Sequence, residues 1–421
     1  MDVWFVGSRS ALFWLALKSG FWTVLTLGFY RFWMKTRLRR WYWSSIRPGG
    51  HPLEYVGDPL EKLLGFFIAV VILTFYIGIV NLLLMFVSFS VFESSFVGYF
   101  ASVLGVIPVW FYAQYRARRY VLGRTRWRGV RFGLEPGAWG YAWRALVHWV
   151  ITICTAGVLW PRMTFYLEKY KTDRTFFGSA KLVQGGRWQM LIPAAMPFAI
   201  AVLSLGVLGV WIVWLDPVVP QSEEVLGEFF GGFEDLAERG ITPYQWVAAW
   251  RLWLLIPALM LLIYGAVHFR FVSKRILANH KHAQGVRMHS ALNGLRISMI
   301  YVLGTTIAYL ILAVGILGVI GVAIGLLGPD AFLEEQFGLA GPLAALPRWL
   351  SFGVIAALYL SVFLFWSVLH HAFVTYPLMR HMAVTLSLLN VVGLAAISQR
   401  ARDEFAEAEG FAEALDLGAA I

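Results

Sequence analysis

A few short runs hold the side chains best able to do chemistry. In Thr26–Gly57, TLGFYRFWMKTRLRRWYWSSIRPGGHPLEYVG, Arg37, Arg39 and Arg40 lie beside Trp41 and Trp43. Arg118 and Arg119 open a second run that carries Arg126, Trp127 and Arg128. Lys169 marks a third, and Lys274 with Arg275 a fourth. Guanidinium and ammonium groups hold phosphate oxygens, while indole and phenol rings settle at headgroup depth, so a membrane–water boundary selects this mixture. Interleaved Arg and Trp can also bind nucleic acid, but here every run abuts an apolar stretch. The expected partner is anionic lipid headgroups and not nucleic acid.

Other candidates are weaker. His280, His282 and His289 sit in one segment and His370, His371 and His381 in another, with H-x-H spacing that can hold zinc or nickel. No neighbouring carboxylate or cysteine pair completes such a site, and the single cysteine, Cys154, excludes an intrachain disulfide. There is no P-loop, G-x-G-x-x-G or G-x-S-x-G sequence. No cofactor, metal or catalytic residue is expected, and the chain is not read as an enzyme.

The elements that position these runs are apolar. Of 421 residues 59% are hydrophobic and only 14% charged, against roughly a quarter charged in a soluble domain. Stretches 63–90, 96–115, 189–215, 252–269, 297–328 and 349–379 contain no Asp, Glu, Lys or Arg, and about 20 helical residues cross a bilayer. Segments 31–62, 116–131, 162–187 and 270–296 are rich in Lys and Arg, whereas 216–244 carries seven acids and only Arg239. Basic segments stay in the cytoplasm, so the six stretches pair into three hairpins that turn outside. Two further apolar segments, 11–33 and 139–161, carry Lys18 and Arg144; the second has basic flanks on both sides, and the first takes the same reading by internal homology. They read as interfacial or re-entrant amphipathic helices. The expectation is an all-α polytopic membrane protein with six transmembrane helices, both termini cytoplasmic, in the bacterial inner membrane.

Internal matches divide the chain. At an offset of 129, Thr26-Leu-Gly28 aligns with Thr155-Ala-Gly157, and Gly49 and Gly57 with Gly178 and Gly186. At an offset of 156, Arg118-Arg119 and Gly129-Val-Arg131 align with Lys274-Arg275 and Gly285-Val-Arg287. Repeats on this scale imply a duplicated membrane unit. The expected organisation is a first repeat over 1–137, a second over 138–288, a third hairpin over 289–399 and an acidic tail over 400–421, read as a short amphipathic helix. Glycines in the stretch 297–328, among them Gly321-x-x-x-Gly325, allow close helix packing and a possible homo-oligomer.

On TLGFYRFW (Thr26–Trp33), RRYVLGRTRWRGVRF (Arg118–Phe132), the T-x-G near Thr155 and the acidic ending FAEAEGFAEALDLG (Phe405–Gly418), the chain resembles the YjgN-type family of bacterial inner-membrane proteins. The resemblance implies a polytopic inner-membrane protein and supplies no substrate, cofactor or catalytic residue. Two functions are expected of such a chain. One is a transporter or channel for a small molecule or lipid, supported by the duplication and by Pro108, Pro193, Pro197 and Pro257 inside apolar stretches. The other is a non-transporting protein that binds anionic lipid or scaffolds the envelope.

Overall fold

The computed structural model describes residues 1–75, 78–79, 81–92, 95–215, 249–327 and 347–400. The acidic loop 216–244, the turn at Glu93, nearly all of the 328–348 connection and the tail from residue 401 lie outside the described residues. The fold is mostly helical. Four helices are long and apolar enough to cross a membrane: Trp188–Val210, Arg251–Asn279, Gly294–Val322 and Tyr359–Val384. They fall on four of the six stretches expected to span. The first two expected stretches fall instead on α3 (Pro59–Phe75), α4 (Asn81–Phe92) and α5 (Ser95–Gly123), which are not among those four.

The chain divides into two units. The smaller comprises Arg187–Ile276 with Asn293–Ser298 and is built on α8 (Ile192–Val210) and the first part of α9 (Leu255–Asn279). Lipid tails are as apolar as leucine, so such helices are held by close packing and not by burial from water. Gly265 of α9 provides it: a Cβ there would lie 2.6 Å from both N and Cα of Phe198. Only glycine lets the two backbones meet. Gly265→Leu is expected to cost about 1–3 kcal/mol through overpacking, read as a lowered midpoint of thermal unfolding in detergent.

The larger unit comprises Met1–Gly186, Leu277–Leu292 and Met299–Ile421. Here segments 11–33 and 139–161 are not single helices. α1 (Arg9–Leu25) ends in a reversal and α2 (Arg31–Ser45) returns; α6 (Ala138–Cys154) and α7 (Trp160–Thr172) repeat the arrangement. The break follows from the T-x-G sequence. Leu27 and Gly28 have φ of 49° and 94°, Ala156 and Gly157 of 48° and 85°, so glycine takes the left-handed position that a side chain resists. Gly28 N–H reaches Thr23 C=O at 2.7 Å and Gly157 N–H reaches Thr152 C=O at 2.8 Å. The Thr23 and Thr152 hydroxyls donate to Ser19 and His148 carbonyls and lie 3.7 and 3.8 Å from the sulfurs of Met34 and Met163. Each of these positions is 129 residues from its counterpart.

Both helical hairpins pack lengthwise on long helices. Arg9, at the start of α1, lies over the rings of Phe373 and Tyr376 at 5.5 and 5.7 Å. Eleven residues on, Gly20 meets Leu364 of α11 (Arg348–His370), the helix after α10 (Gly294–Leu327). The α1–α2 reversal, with Leu27 82% exposed, therefore sits at the level of Leu360, across a groove of about 590 Å³. The second hairpin packs on α5 through Phe111, Tyr115, Tyr141, Ala145, Met163 and Tyr170.

The all-α expectation is corrected by eleven short strands among the described residues. All but the first and last lie in or run out of the basic segments: β1 (Val3–Phe5), β2 (Ile46–Pro48), β3 (Leu53–Tyr55), β4 (Thr125–Trp127), β5 (Val130–Leu134), β6 (Thr175–Phe177), β7 (Ala180–Lys181), β8 (Val183–Gln184), β9 (Lys281–Ala283), β10 (Val286–Ser290) and β11 (Leu386–Leu389). The cause is local. Arg128-Gly129 and Gln284-Gly285, between the paired strands β4 and β5 and β9 and β10, both take positive φ at two successive residues (51° and 78°, 46° and 82°). That geometry matches the twist of flanking strands in a tight hairpin.

Candidate ligand site in the strand ring

Each hairpin alone is too short to persist in water; together they close a ring within the larger unit. β1 pairs antiparallel with β2, with Val3 opposite Pro48. The Gly49-Gly50 turn leads from β2 to β3, which begins the sheet β3-β4-β5-β6-β7. After Leu182 the chain continues as β8, first in the sheet β8-β9-β10-β11. The last strand returns to the first: Met1 N donates to Leu388 C=O and Leu388 N–H to Met1 C=O, both at 2.8 Å, and Asp2 bridges Ser387. Residues 387 positions apart thus share one ladder.

A cavity of about 230 Å³ lies inside. Its wall takes Val3 from β1, Ile46 and Pro48 from β2, Leu53 from β3, Trp127 from β4, Phe132 from β5 and Phe177 from β6. Leu182, Lys281 and Ala283, Val286 and Met288, then Leu386 and Leu388 complete the circuit. The i, i+2 pairs follow from the pleat, which sends alternate side chains to one face. Trp127 is 4% exposed and stands 5.6 Å from the Phe177 ring, which in turn stands 4.7 Å from Phe132. The surface is almost wholly apolar, and the cavity exceeds the roughly 150 Å³ that suffices for dry apolar space to take up benzene.

One end is crossed by a strap, the 3-10 turn Val391–Ala396 and the residues to Arg400. Leu394 and Ile397 add to the cavity wall. Ser179 N–H donates to Ser398 C=O at 2.8 Å, Ser398 N–H to the Ser179 hydroxyl at 3.3 Å, and Arg131 N–H to the Gln399 side-chain carbonyl at 2.9 Å. The Arg400 guanidinium lies 4.2 Å from the Phe176 ring centre.

Beside the cavity is a charge cluster centred on Glu168 of α7. Its carboxylate takes Lys281 Nζ at 2.7 Å, Lys171 Nζ at 3.0 Å and Arg118 Nη2 at 3.5 Å. Burial alone would raise the Glu168 pKa, but Lys171, Lys281 and Arg118 together hold it well below 4.5. Burial lowers the Lys281 pKa, against the opposing pull of Glu168.

The residues singled out in the sequence have separate fates. Arg39 is 5% exposed and donates to Tyr55 Oη at 3.5 Å, and Trp43 Nε1 donates to Thr125 Oγ1 at 3.0 Å. Trp41 packs against Phe5 and Tyr376. Arg37, Arg40 and Arg128 are exposed, Arg40 bonding Gly57 C=O at 2.9 Å. Arg126 lies opposite Glu54 and Arg131 in the sheet. Arg119, with Arg116, lines a pocket of about 250 Å³ at the start of α6. Lys169 binds Asp173 and Gln184 C=O, both at 2.9 Å. In the smaller unit Lys274 lies 5.1 Å from the Phe271 ring centre, and Arg275 is part-buried on the same helix. Arg39 and Trp127 therefore face protein and not headgroups, because their runs fold into a ring whose inner face the aromatic side chains fill. Of the basic-aromatic positions Arg118 reaches the charge cluster and Trp127 the cavity, and of the singled-out histidines His282 also lines the cavity.

Sequence reasoning missed Glu168, Phe132, Phe177, Leu386, Leu388 and the strap. The available signal was alternation: T-R-W and V-R-F-G-L flank Arg128-Gly129 as a hairpin would. The glycines that mark the repeats in the sequence are turns in the fold.

The family described as Bacterial protein of unknown function (DUF898) matches residues 1–319. This agrees with the YjgN-type resemblance. No curated protein and no solved structure matches the chain.

Proposed function

We propose that this chain, which belongs to the bacterial DUF898 family, is a multi-pass inner-membrane protein that holds the apolar body of a small molecule or lipid in a cytoplasmic strand ring. The observation that carries the reading is the cavity of about 230 Å³ to which strands from Val3 to Leu388 contribute. A ring assembled from the whole length of the chain is an expensive way to enclose empty space, since loop closure over long separations costs entropy. The reading keeps the expected small-molecule or lipid ligand and places it beside the spans. Transport, in which the ring would be the cytoplasmic station of a carrier, extends the same reading. Binding, and not catalysis, is the activity proposed.

The topology has its own support. β1, β3, β5, β8, β10 and β11 belong to one ring, so each intervening segment must leave and re-enter the same side of the bilayer. An even number of crossings follows for 59–123, 188–279 and 294–384. The α1–α2 and α6–α7 hairpins reverse at T-x-G and serve as re-entrant elements lying along α11 and α5. Because the ring carries the basic segments, it belongs in the cytoplasm, with both termini. In a Cys154→Ser background, cysteines placed at Arg128 and Gln284 are expected to react with an impermeant thiol reagent only in inverted vesicles, and one at Glu228 only in right-side-out cells. Labelling of Gln284→Cys from outside would overturn the topology.

Binding is tested by extracting the protein in native lipid discs and identifying what remains bound by mass spectrometry after washing. A stoichiometric apolar molecule in the native protein, absent from Leu388→Trp, supports the reading. Bulk lipid alone in both overturns it.

A further inference from the structure

Charge near the cavity is unbalanced. Glu168 is the only carboxylate within ion-pair distance of Lys281 and Lys171 among the described residues, and it also serves Arg118. One negative charge is thus shared among three cations, a surplus of two by subtraction. The side chains of Lys281 and Glu168 are only 15% and 18% exposed, so water screens that surplus poorly. Lys281 belongs to both places. It lies on the cavity wall, and its ammonium turns to the cluster. His282, next in the strand, also lines the cavity.

An apolar cavity with surplus positive charge beside its wall, at Lys281, is complementary to a molecule with an apolar chain and an anionic end. Attraction for an anion is strongest where the cations are already desolvated and fixed, because little reorganisation is needed when it arrives. We propose that the ring binds an acyl-type amphiphile, with the chain in the cavity and its carboxylate or phosphate taken by Lys281 and its neighbouring cations. This deepens the binding reading above and rests on it.

Octanoate and octanol, matched in chain and differing in charge, make the test. Their affinities are measured by calorimetry on the full chain in zwitterionic lipid discs at neutral pH. Octanoate is expected to bind at least tenfold more tightly than octanol, and Lys281→Met to remove that preference. Equal affinities in the native protein, or a preference that survives in Lys281→Met, would overturn the anionic assignment and leave the cavity reading standing. Failure of both ligands to bind, or binding undiminished in Leu388→Trp, would overturn both. A repeat in discs containing phosphatidylglycerol separates the sources of the anion. Displacement of octanoate there identifies a membrane lipid, and its absence a free acid; either upholds the shared chemistry.

Discussion

Glu168→Gln is expected to destabilise the protein by about 3 kcal/mol, near the lower end of what breaking a buried ion pair costs. The substitution keeps shape and hydrogen-bonding capacity but leaves Lys281, Lys171 and Arg118 facing one another without a counter-charge. The pH dependence distinguishes this from a packing defect. Glu168 is held well below 4.5 in the folded protein. Its contribution is therefore complete above that value and disappears as pH falls through the lowered one, since the unfolded chain then binds the proton first. The gap in thermal midpoint between native protein and Glu168→Gln should be constant above pH 4.5 and shrink progressively in acid. A gap that stays constant down to the acid limit would show that the fold does not shift the titration of the carboxylate, so the three cations do not stabilise its charge. Both proteins carry the same other carboxylates, so their titration cancels in the difference.

What the sequence made legible was whatever is local. Four apolar stretches became helices long enough to cross a membrane, because burial of backbone polar groups in lipid leaves few alternatives to a helix. The matches at an offset of 129 mark the same reversal, down to the threonine hydroxyls at Thr23 and Thr152. The ring was not legible for the opposite reason. Its pairings join Val3 to Pro48, Phe132 to Phe177, Val183 to His282 and Arg287 to Leu389. No window of sequence contains both partners, and strands of two to five residues give periodicity little room to show. Basic-aromatic composition then favoured the membrane surface as the destination of every arginine and tryptophan. Arg40 and Arg128 keep that option by their exposure, whereas Arg39 and Trp127 are buried. The difference is one of strand and helix face, which composition does not encode.

Trp127→Ala should therefore separate the two roles open to this tryptophan. A headgroup-anchoring indole at the surface changes stability by about 0.5 kcal/mol or less when removed. A buried one costs about 3–5 kcal/mol, with the larger values where the surroundings cannot collapse into the void. Trp127 belongs to the second group: it is 4% exposed and borders a cavity of about 230 Å³ that already resists collapse. The expected loss is about 4 kcal/mol, measured by thermal or denaturant unfolding in detergent. The strand pairings of Leu53 with Trp127 and of Trp127 with Val130 use the backbone and persist in the variant. Trp127→Phe, which keeps a ring against Phe177, should recover more than half of the loss. Ligand response gives a second readout. In native protein octanol is expected to raise the thermal midpoint by mass action on the folded state, and in Trp127→Ala the enlarged cavity should hold the chain too loosely to do so. If Trp127→Ala unfolds at the native midpoint and keeps its response to octanol, the indole is not part of the cavity wall, and the ring is not the binding site.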